Sequence, residues 1–404
     1  MMKRVIVVSL IFASALTDAQ SAPRVFLVNP ATLMSARTTL APAVAARLRA
    51  DAEKALQQPL MSVVDKSLTP PSGDKHDYMS MAPYWWPDPS KPDGLPYIRR
   101  DGETNPEIRK ISDHDNFGRL VSATHTLALA YYLLGDERYA AHAAELLRAW
   151  FLTPATRMNP NLTYAQAIRG INDGRGIGLI ETRGFPRIVD AVGMLAGSRS
   201  WTAADQRGME RWCAEFVKWL RESKNGKDEA AAKNNHGTWY DGQLVALALF
   251  THQRAIARAV LNEVRSKRIA VQIEPDGRQP LELARTKSFG YSVFNLNALV
   301  QLARLGEGPG IDLWNARTAD GRSLRAALDF LIPFTSGDEK WPYEQIADFH
   351  ADDIVPALLA AAVRYNDPRY TQAAARIDAD APRSLEAVLA RVPVRVARVR
   401  KAAK

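Results

Sequence analysis

Residues 116–151 read NFGRLVSATHTLALAYYLLGDERYAAHAAELLRAWF. Apolar side chains recur at threes and fours on both sides of Gly135-Asp136, which predicts two helices, 116–134 and 137–151, joined by a tight turn. The same texture continues downstream. Helices are expected at 186–195, at 203–221 with Thr202 as the cap, at 253–269, 282–305, 323–334 and 353–365, and in two shorter pieces near the end. Upstream, 38–57 and 161–168 also read as helices. No alternating β run longer than a few residues interrupts them. Paired helices with short loops predict an all-α fold, a helical toroid or a bundle, in a single domain spanning 20–390. No repeat of fixed period appears, which argues against a regular solenoid.

The two ends read differently. Lys3 and Arg4 precede a mostly apolar run to Leu16 and then Thr17-Asp18-Ala19, the pattern of a secretory signal peptide over 1–19 with cleavage after Ala19. The run is too short to span a bilayer, so membrane insertion is not expected. This points to a periplasmic or secreted protein. The tail, 391–404, carries Arg391, Arg395, Arg398, Arg400, Lys401 and Lys404. With a net charge of +9 over 404 residues, the chain suits a polyanionic partner, though part of that excess is the tail. No nucleic-acid-binding signature is present. Cys213 is the single cysteine, so no internal disulfide forms, and its neighbours Trp212 and Phe216 mark it as core packing. The sequence is silent on oligomeric state.

Residues 66–112 break the helical texture. Pro83, Pro87, Pro89, Pro92, Pro96 and Pro106 exclude helix and central strand. Tyr78, Met79, Met81, Tyr84, Trp85, Trp86 and Tyr97 make the segment too apolar to stay solvated. A loop this long in a compact domain is expected to be a lid or binding loop over a cleft.

Two helix starts are unusually polar. Lys233-Asn234-Asn235-His236-Gly237-Thr238-Trp239-Tyr240-Asp241-Gly242-Gln243 opens one apolar helix, and Glu282-Leu283-Ala284-Arg285-Thr286-Lys287-Ser288-Phe289-Gly290-Tyr291 opens another. Arg285 and Tyr291 lie six residues apart, about 120° out of line on a regular helix. They converge only if the segment is irregular, which Gly290 would permit. Together the two stretches supply a cation, an amide, an imidazole and a phenol, with no evident nucleophile. Such a set suits removal of a proton α to a carboxylate. Donors neutralise the carboxylate, a base takes the proton, and an acid protonates the leaving oxygen. A phenol with an ordinary pKa near 10 becomes a base only where cations stabilise the phenolate, and Arg285 and Lys287 are the candidates. This is the chemistry of β-elimination in a polyuronate.

The Asn-Asn-His-Gly-Thr-Trp block at 234–239 and the block from Arg285 to Tyr291, in that order and separation, resemble the alginate lyase domain. That group includes the periplasmic mannuronate lyases and the broad-specificity uronate lyases of polysaccharide lyase family thirty-eight. Tyr84-Trp85-Trp86-Pro87-Asp88-Pro89 and Asn172-Asp173-Gly174-Arg175-Gly176 are similar to the second group especially. The resemblance extends from about Lys75 to Asp353. It implies an α/α toroid, an incomplete barrel of helical hairpins, and an elimination that needs no metal or cofactor and leaves a 4,5-unsaturated sugar. It also implies that Asn235, His236 and Arg285 neutralise the carboxylate. Tyr291 would serve as both base and acid where the groups leave syn, and as acid to a His236 base where they leave anti. The 78–97 aromatic loop departs from a strict mannuronate lyase and leaves mannuronate, guluronate and glucuronate open, as it does endo and exo action.

Several residues keep two readings. Trp85 and Trp86 either anchor the loop or stack on sugar; Trp239 and Tyr240 form cleft wall. Lys75 and His76 belong either to a lid or to a solvated turn. Arg175 and Arg183 either meet a substrate carboxylate or cap helices. Trp341 and Tyr343 either wall a subsite or pack. His114 with Asp113 and Asp115, and His350 with Asp352 and Asp353, lack zinc-ligand spacing, so no metal is expected. The rival readings are a glycoside hydrolase using Asp241 with Glu181 or Glu282, and a polysaccharide-binding protein without turnover.

Overall fold

The computed structural model describes residues 22–391, apart from 336, 337 and 349. The expected leader at 1–19 and the tail beyond Arg391 lie outside the described residues. Within them, consecutive helices alternate between an inner and an outer layer around a central hollow. The inner helices are Asp113–Leu134, Phe185–Leu195, Asn235–Phe250, Ser288–Glu307 and Val355–Arg364, each packed on the next. Glu137–Leu147, Ala203–Glu222, Arg254–Val264, Leu324–Thr335 and Pro368–Ile377 stand behind them. Val355–Arg364 also touches Leu385–Ala390, which packs on Pro30–Thr39, and that helix reaches back to Asp113–Leu134. The protein is therefore an all-α toroid whose open side is bridged by its two terminal helices.

Layering follows from the side-chain pattern. Glu137–Leu147 buries Tyr139, Ala140, Ala143, Ala144, Leu146 and Leu147, one stripe at helical spacing, and leaves its other face in solvent. Asn235–Phe250 is buried almost along its whole length because it is flanked by helices on both sides. Between layers, Phe117, Trp150, Phe151, Phe185, Trp212 and Phe216 form a continuous set of rings with centroids 4.7–5.8 Å apart. Cys213 lies in this core with no exposure. Helix ends agree with their sequence signals. Gly135 ends its helix in the left-handed region at φ 79°, and Thr202 closes a capping box with Asp205.

Three expectations are corrected. The segment 38–57 is two helices, Pro30–Thr39 and Pro42–Ala55, because Pro42 lacks the N–H needed to continue the first. The segment 161–168 is not a helix. Tyr164–Ala167 is a strand paired in parallel with Met79–Met81, and Gln166 sits at φ 52° where a helix cannot pass. The third correction concerns 282–305, where Pro280–Leu283 and Ser288–Glu307 are separate helices. The irregularity that frees Arg285 thus falls at 284–287, ahead of Gly290, which lies inside the second helix. A short helix missing from the sequence reading, Lys224–Ala230, precedes the first polar helix start.

The 66–112 segment is mostly irregular, but it is knitted into the fold. Trp85–Trp86 pairs antiparallel with Ile98–Arg99, and Tyr78 is fully buried with its hydroxyl donating to Glu181 at 2.7 Å.

Candidate active site

The inner helices and the 66–112 segment enclose a cleft of about 2140 Å³. A pocket for a small molecule is several times smaller, at roughly 300–1,000 Å³, so this cleft has the size for a polymer. Tyr84, Trp85, Arg175, Arg183, Asn234, Asn235, His236, Trp239, Arg285, Lys287 and Tyr291 all line it. Both polar helix starts therefore open into one space.

Arg285 organises one side. Its Nε and Nη2 donate to the two carboxylate oxygens of Asp101 at 2.9 and 2.8 Å, and Nη2 also donates to the Tyr291 hydroxyl at 2.7 Å. The guanidinium lies 3.8 Å from the centre of the Tyr291 ring. Tyr291 in turn donates to the Tyr84 hydroxyl at 2.8 Å. The loop thus docks on the site through Asp101 and Tyr84, with Thr286 Oγ1 adding a bond to the Asp101 carbonyl at 3.1 Å. Contrary to the expectation that cations lower it, the Tyr291 phenol has a pKa well above its ordinary value. Burial is the main cause, Tyr84 adds to it, and Arg285 only partly opposes them. Lys287 is no help, since its Nζ lies 6.0 Å from the Tyr84 ring rather than on Tyr291. The resting phenol is neutral.

The other side is built on two buried carboxylates that the sequence did not single out for these tasks. Glu282 accepts from the Asn235 amide N–H at 2.8 Å and from Asn235 Nδ2 at 2.7 Å. It is 1% exposed, and both Arg285 and His236 act on its charge, so it ties the two helix starts together. Asn235 is itself 1% exposed. Of its amide, one N–H is committed to Glu282, which leaves the other N–H and an unpartnered Oδ1. Glu229, also buried, lies 2.7 Å from His236 Nδ1. A carboxylate only accepts, so Nδ1 carries the proton and Nε2 is the nitrogen left for chemistry. Lys224–Ala230 is the element that delivers Glu229. In the sequence Glu229 is one of two adjacent acidic residues, Asp228 and Glu229, in a polar stretch.

Further along the wall, Arg175 donates to Gln166 Oε1 at 2.8 Å and lies 5.9 Å from the Trp85 ring. Burial, with Arg99 nearby, lowers its pKa to about 10. It has no carboxylate partner among the described residues, and its Nε is buried without a bond. Arg183 lies over Phe294 at 5.3 Å. Trp239 packs on the same ring at 4.9 Å.

The remaining sequence candidates do not face the cleft. Lys75 donates to the Lys66 carbonyl at 3.0 Å, and His76 Nδ1 bonds the Arg157 carbonyl at 2.6 Å, so both tether the base of the loop. Trp86 Nε1 donates to the Glu103 carbonyl at 3.0 Å; of the two indoles, it is the loop anchor. Tyr240 is buried behind the wall with its hydroxyl on the Leu220 carbonyl at 2.9 Å. Trp341 donates to Ser288 Oγ at 2.8 Å and packs edge-on against Phe289 and Phe334, while Tyr343 packs on Trp341 at 5.1 Å. The carboxylates considered for hydrolysis are also engaged. Asp241 is paired in the core with Arg268 at 2.7 Å, and Glu181 accepts from Tyr78 and Ser80.

The alginate lyase family profile matches residues 62–341. The chain belongs to the alginate lyase family. It is a polysaccharide lyase. A crystal structure of an alginate lyase from Bacteroides ovatus is 40% identical, covers 92% of this chain and 100% of its own, and superposes with a TM-score of 0.87. Alginate lyase A1-III from Sphingomonas species A1 is 14% identical over 86% of this chain and 95% of its own, with a TM-score of 0.52, and shares the fold. A tyrosine-to-phenylalanine variant of A1-III, complexed with tetrasaccharide, has a TM-score of 0.56 at 14% identity, over 89% of this chain and 92% of its own. No curated protein sequence matches the chain. Among the described residues, no helix is long and apolar enough to cross a membrane.

The Asp101–Arg285 clamp titrates in a defined window. Hydrogen bonds from Arg285 hold the Asp101 carboxyl at about 2, below its ordinary 3.8. A depressed folded-state pKa contributes stability above the unfolded value and loses it as pH falls through the folded one. The clamp is expected to weaken between about pH 4 and pH 2, costing about 1 kcal/mol at most after solvent screening. Asp101→Asn should remove this acid-side loss from the pH dependence of the melting temperature. It should also lower turnover about tenfold, because the guanidinium loses its fork partner. Unchanged turnover would mean Arg285 is positioned without Asp101.

Proposed function

We propose that this lyase cleaves alginate, and glucuronan if its cleft admits it, by β-elimination. The reading is carried by the Tyr291 hydroxyl, held between Arg285 and Tyr84 in the cleft that His236 also lines. Lys287, the free N–H of Asn235 and the Nη1 side of Arg285 would face the uronate carboxylate and draw off the charge that develops as C5 loses its proton. A base takes that proton, the C5–H electrons form the C4–C5 double bond, and the C4–O bond breaks. The departing oxygen takes a proton from an acid, leaving a 4,5-unsaturated uronate.

A phenol that is neutral at rest needs no preparation to serve as that acid. For units whose proton and oxygen leave anti, as in guluronate, His236 Nε2 is the base and Tyr291 the acid. For syn units, as in mannuronate or glucuronate, Tyr291 first passes its proton to Tyr84, whose hydroxyl releases its own proton to water in the open cleft. Tyr291 then acts as a phenolate against Arg285, removes the C5 proton and returns it to the oxygen. The engagement of Asp241, Glu181 and Glu282 in other bonds disfavours the hydrolase reading.

The test is incubation with alginate, polymannuronate, polyguluronate and glucuronan while following ultraviolet absorbance of the conjugated product. Absorbance growing with new reducing ends is expected on alginate. Reducing ends without absorbance would overturn elimination, and binding with neither would leave a polysaccharide-binding protein.

A further inference from the structure

The cleft continues far beyond Tyr291, and its far part carries two arginines, Arg187 and Arg304. On the Ser288–Glu307 helix, Gly290, Phe294, Asn297, Gln301 and Arg304 follow one another at threes and fours along the cleft face. Arg304 is thirteen residues past Tyr291 on this one continuous helix, about 20 Å along its axis. Arg187, in the first turn of Phe185–Leu195, and His125, on Asp113–Leu134, face the same space. Arg183 lies one turn before Arg187, so guanidiniums lead from the catalytic end into the hollow.

Arg183 has the Glu181 carboxylate near it, but Arg187 and Arg304 have no ion-pair partner among the described residues. Arg187 acts on Arg183, on Arg304 and on His125, whose pKa it lowers, together with the larger effect of burial, to about 3. The carboxylates nearest Arg304 are committed elsewhere. Asp190 accepts from the backbone amides of Phe26, Leu27 and Val28 at 2.6, 3.0 and 3.4 Å. Glu307 is held by Arg364 at 2.5 Å and by Trp314 Nε1 at 3.0 Å. Asp352, Asp353 and Glu386 share the hollow, yet among the described residues no ion pair joins them to Arg187 or Arg304. A buried guanidinium without a counter-ion is costly, and Arg268 and Arg285 avoid that cost by pairing with Asp241 and Asp101. Arg304, half-buried at the far end of the channel, is unpaired in this way, and the exposed Arg187 that acts on it is unpaired too, so the two together offer a place for an anion from outside. Solvent or a free anion would satisfy a single arginine. A row of them aligned with the active site fits an anionic chain.

We propose that Arg187 and Arg304 form a remote carboxylate-binding subsite that grips a uronate several sugars away from the bond being cleaved. This rests on the polyuronate reading above. Its consequence is a preference for long chains. The neutral His125 imidazole adds a hydrogen-bonding partner without extra charge.

The experiment uses the full chain, with size-defined oligouronates, in wild type, Arg187→Ala, Arg304→Lys and Arg304→Ala. Arg187 is exposed in the cleft, so its truncation keeps the fold even if Arg304→Ala does not. In the wild type, kcat/KM should rise with oligomer length. In Arg187→Ala the ratio of long-chain to short-chain kcat/KM should fall about tenfold, through KM, which is the scale of one lost charged contact. A ratio equal to that of wild type in both Arg187→Ala and Arg304→Lys would overturn the proposal. Calorimetric titration in a Tyr291→Phe background separates the two readings, because it needs no turnover. There a long oligouronate should bind about tenfold more weakly once Arg187 is truncated. Competition by free glucuronate at that subsite, with no effect of chain length, would show a site for small anions and overturn the chain-binding proposal. Absence of unsaturated product with the length-dependent binding intact would instead count against elimination alone.

Discussion

Tyr291→Phe is expected to lose about 10³-fold or more in kcat on every polyuronate the wild type cleaves, with little change in KM. The substitution removes one oxygen and keeps the ring over which the Arg285 guanidinium lies at 3.8 Å. It leaves Arg285 Nη2 and the Tyr84 hydroxyl each short of a partner, but both face a wet cleft and can turn to water. The melting temperature should therefore move by only a few degrees, as befits a loss of about 1 kcal/mol in a domain of this size. Initial rates of ultraviolet absorbance and a thermal melt check both halves. Retention of more than about a tenth of wild-type turnover would remove Tyr291 from the chemistry.

His236→Ala should separate the two stereochemical routes. Where the groups leave anti, Nε2 is the proposed base, and its loss is expected to cost about 10³-fold on polyguluronate. Where they leave syn, Tyr291 does both jobs and the histidine contributes only to charge balance. The loss on polymannuronate or glucuronan should then be about tenfold to a hundredfold. Glu229→Gln gives the matching control. It keeps the size of the side chain but no longer obliges Nδ1 to hold the proton, so it should lower anti turnover while leaving the ring in place. Equal losses on syn and anti substrates in His236→Ala would show that the histidine acts on the carboxylate in both.

Most of the helices and their order were readable because they rest on local chemistry. The 116–151 hairpin needs only apolar spacing and a glycine that can turn left-handed, and Thr202 needs only the carboxylate three residues on. The two polar helix starts were readable for a similar reason. Asn235, His236, Arg285 and Tyr291 are residue types that an apolar helix has no use for, and all four line one cleft. Aromatic residues were much less legible. Trp85 faces the cleft while Trp86 anchors its loop, and Tyr240 is buried while Trp239 lines the wall. Neighbours in sequence point to opposite faces of a strand and about 100° apart around a helix, and composition does not say which side is empty.

Some features had no local signal at all. The Tyr164–Ala167 strand exists because Met79–Met81, more than eighty residues earlier, offers its backbone, and that pairing overrides a helix-like pattern. Asp101, Glu229 and Glu282 are ordinary acidic residues until folding sets them against Arg285, His236 and Asn235. The protonation state of Tyr291 was decided the same way. Proximity to a cation suggested a lowered pKa, but burial and a second tyrosine outweigh it. What the sequence by itself determined was a set of helices and an inventory of reactive groups, both products of short-range spacing. Only the tertiary structure decided which groups meet, which are buried and which arginines go without a partner, because those depend on distance and solvent between residues remote in the chain.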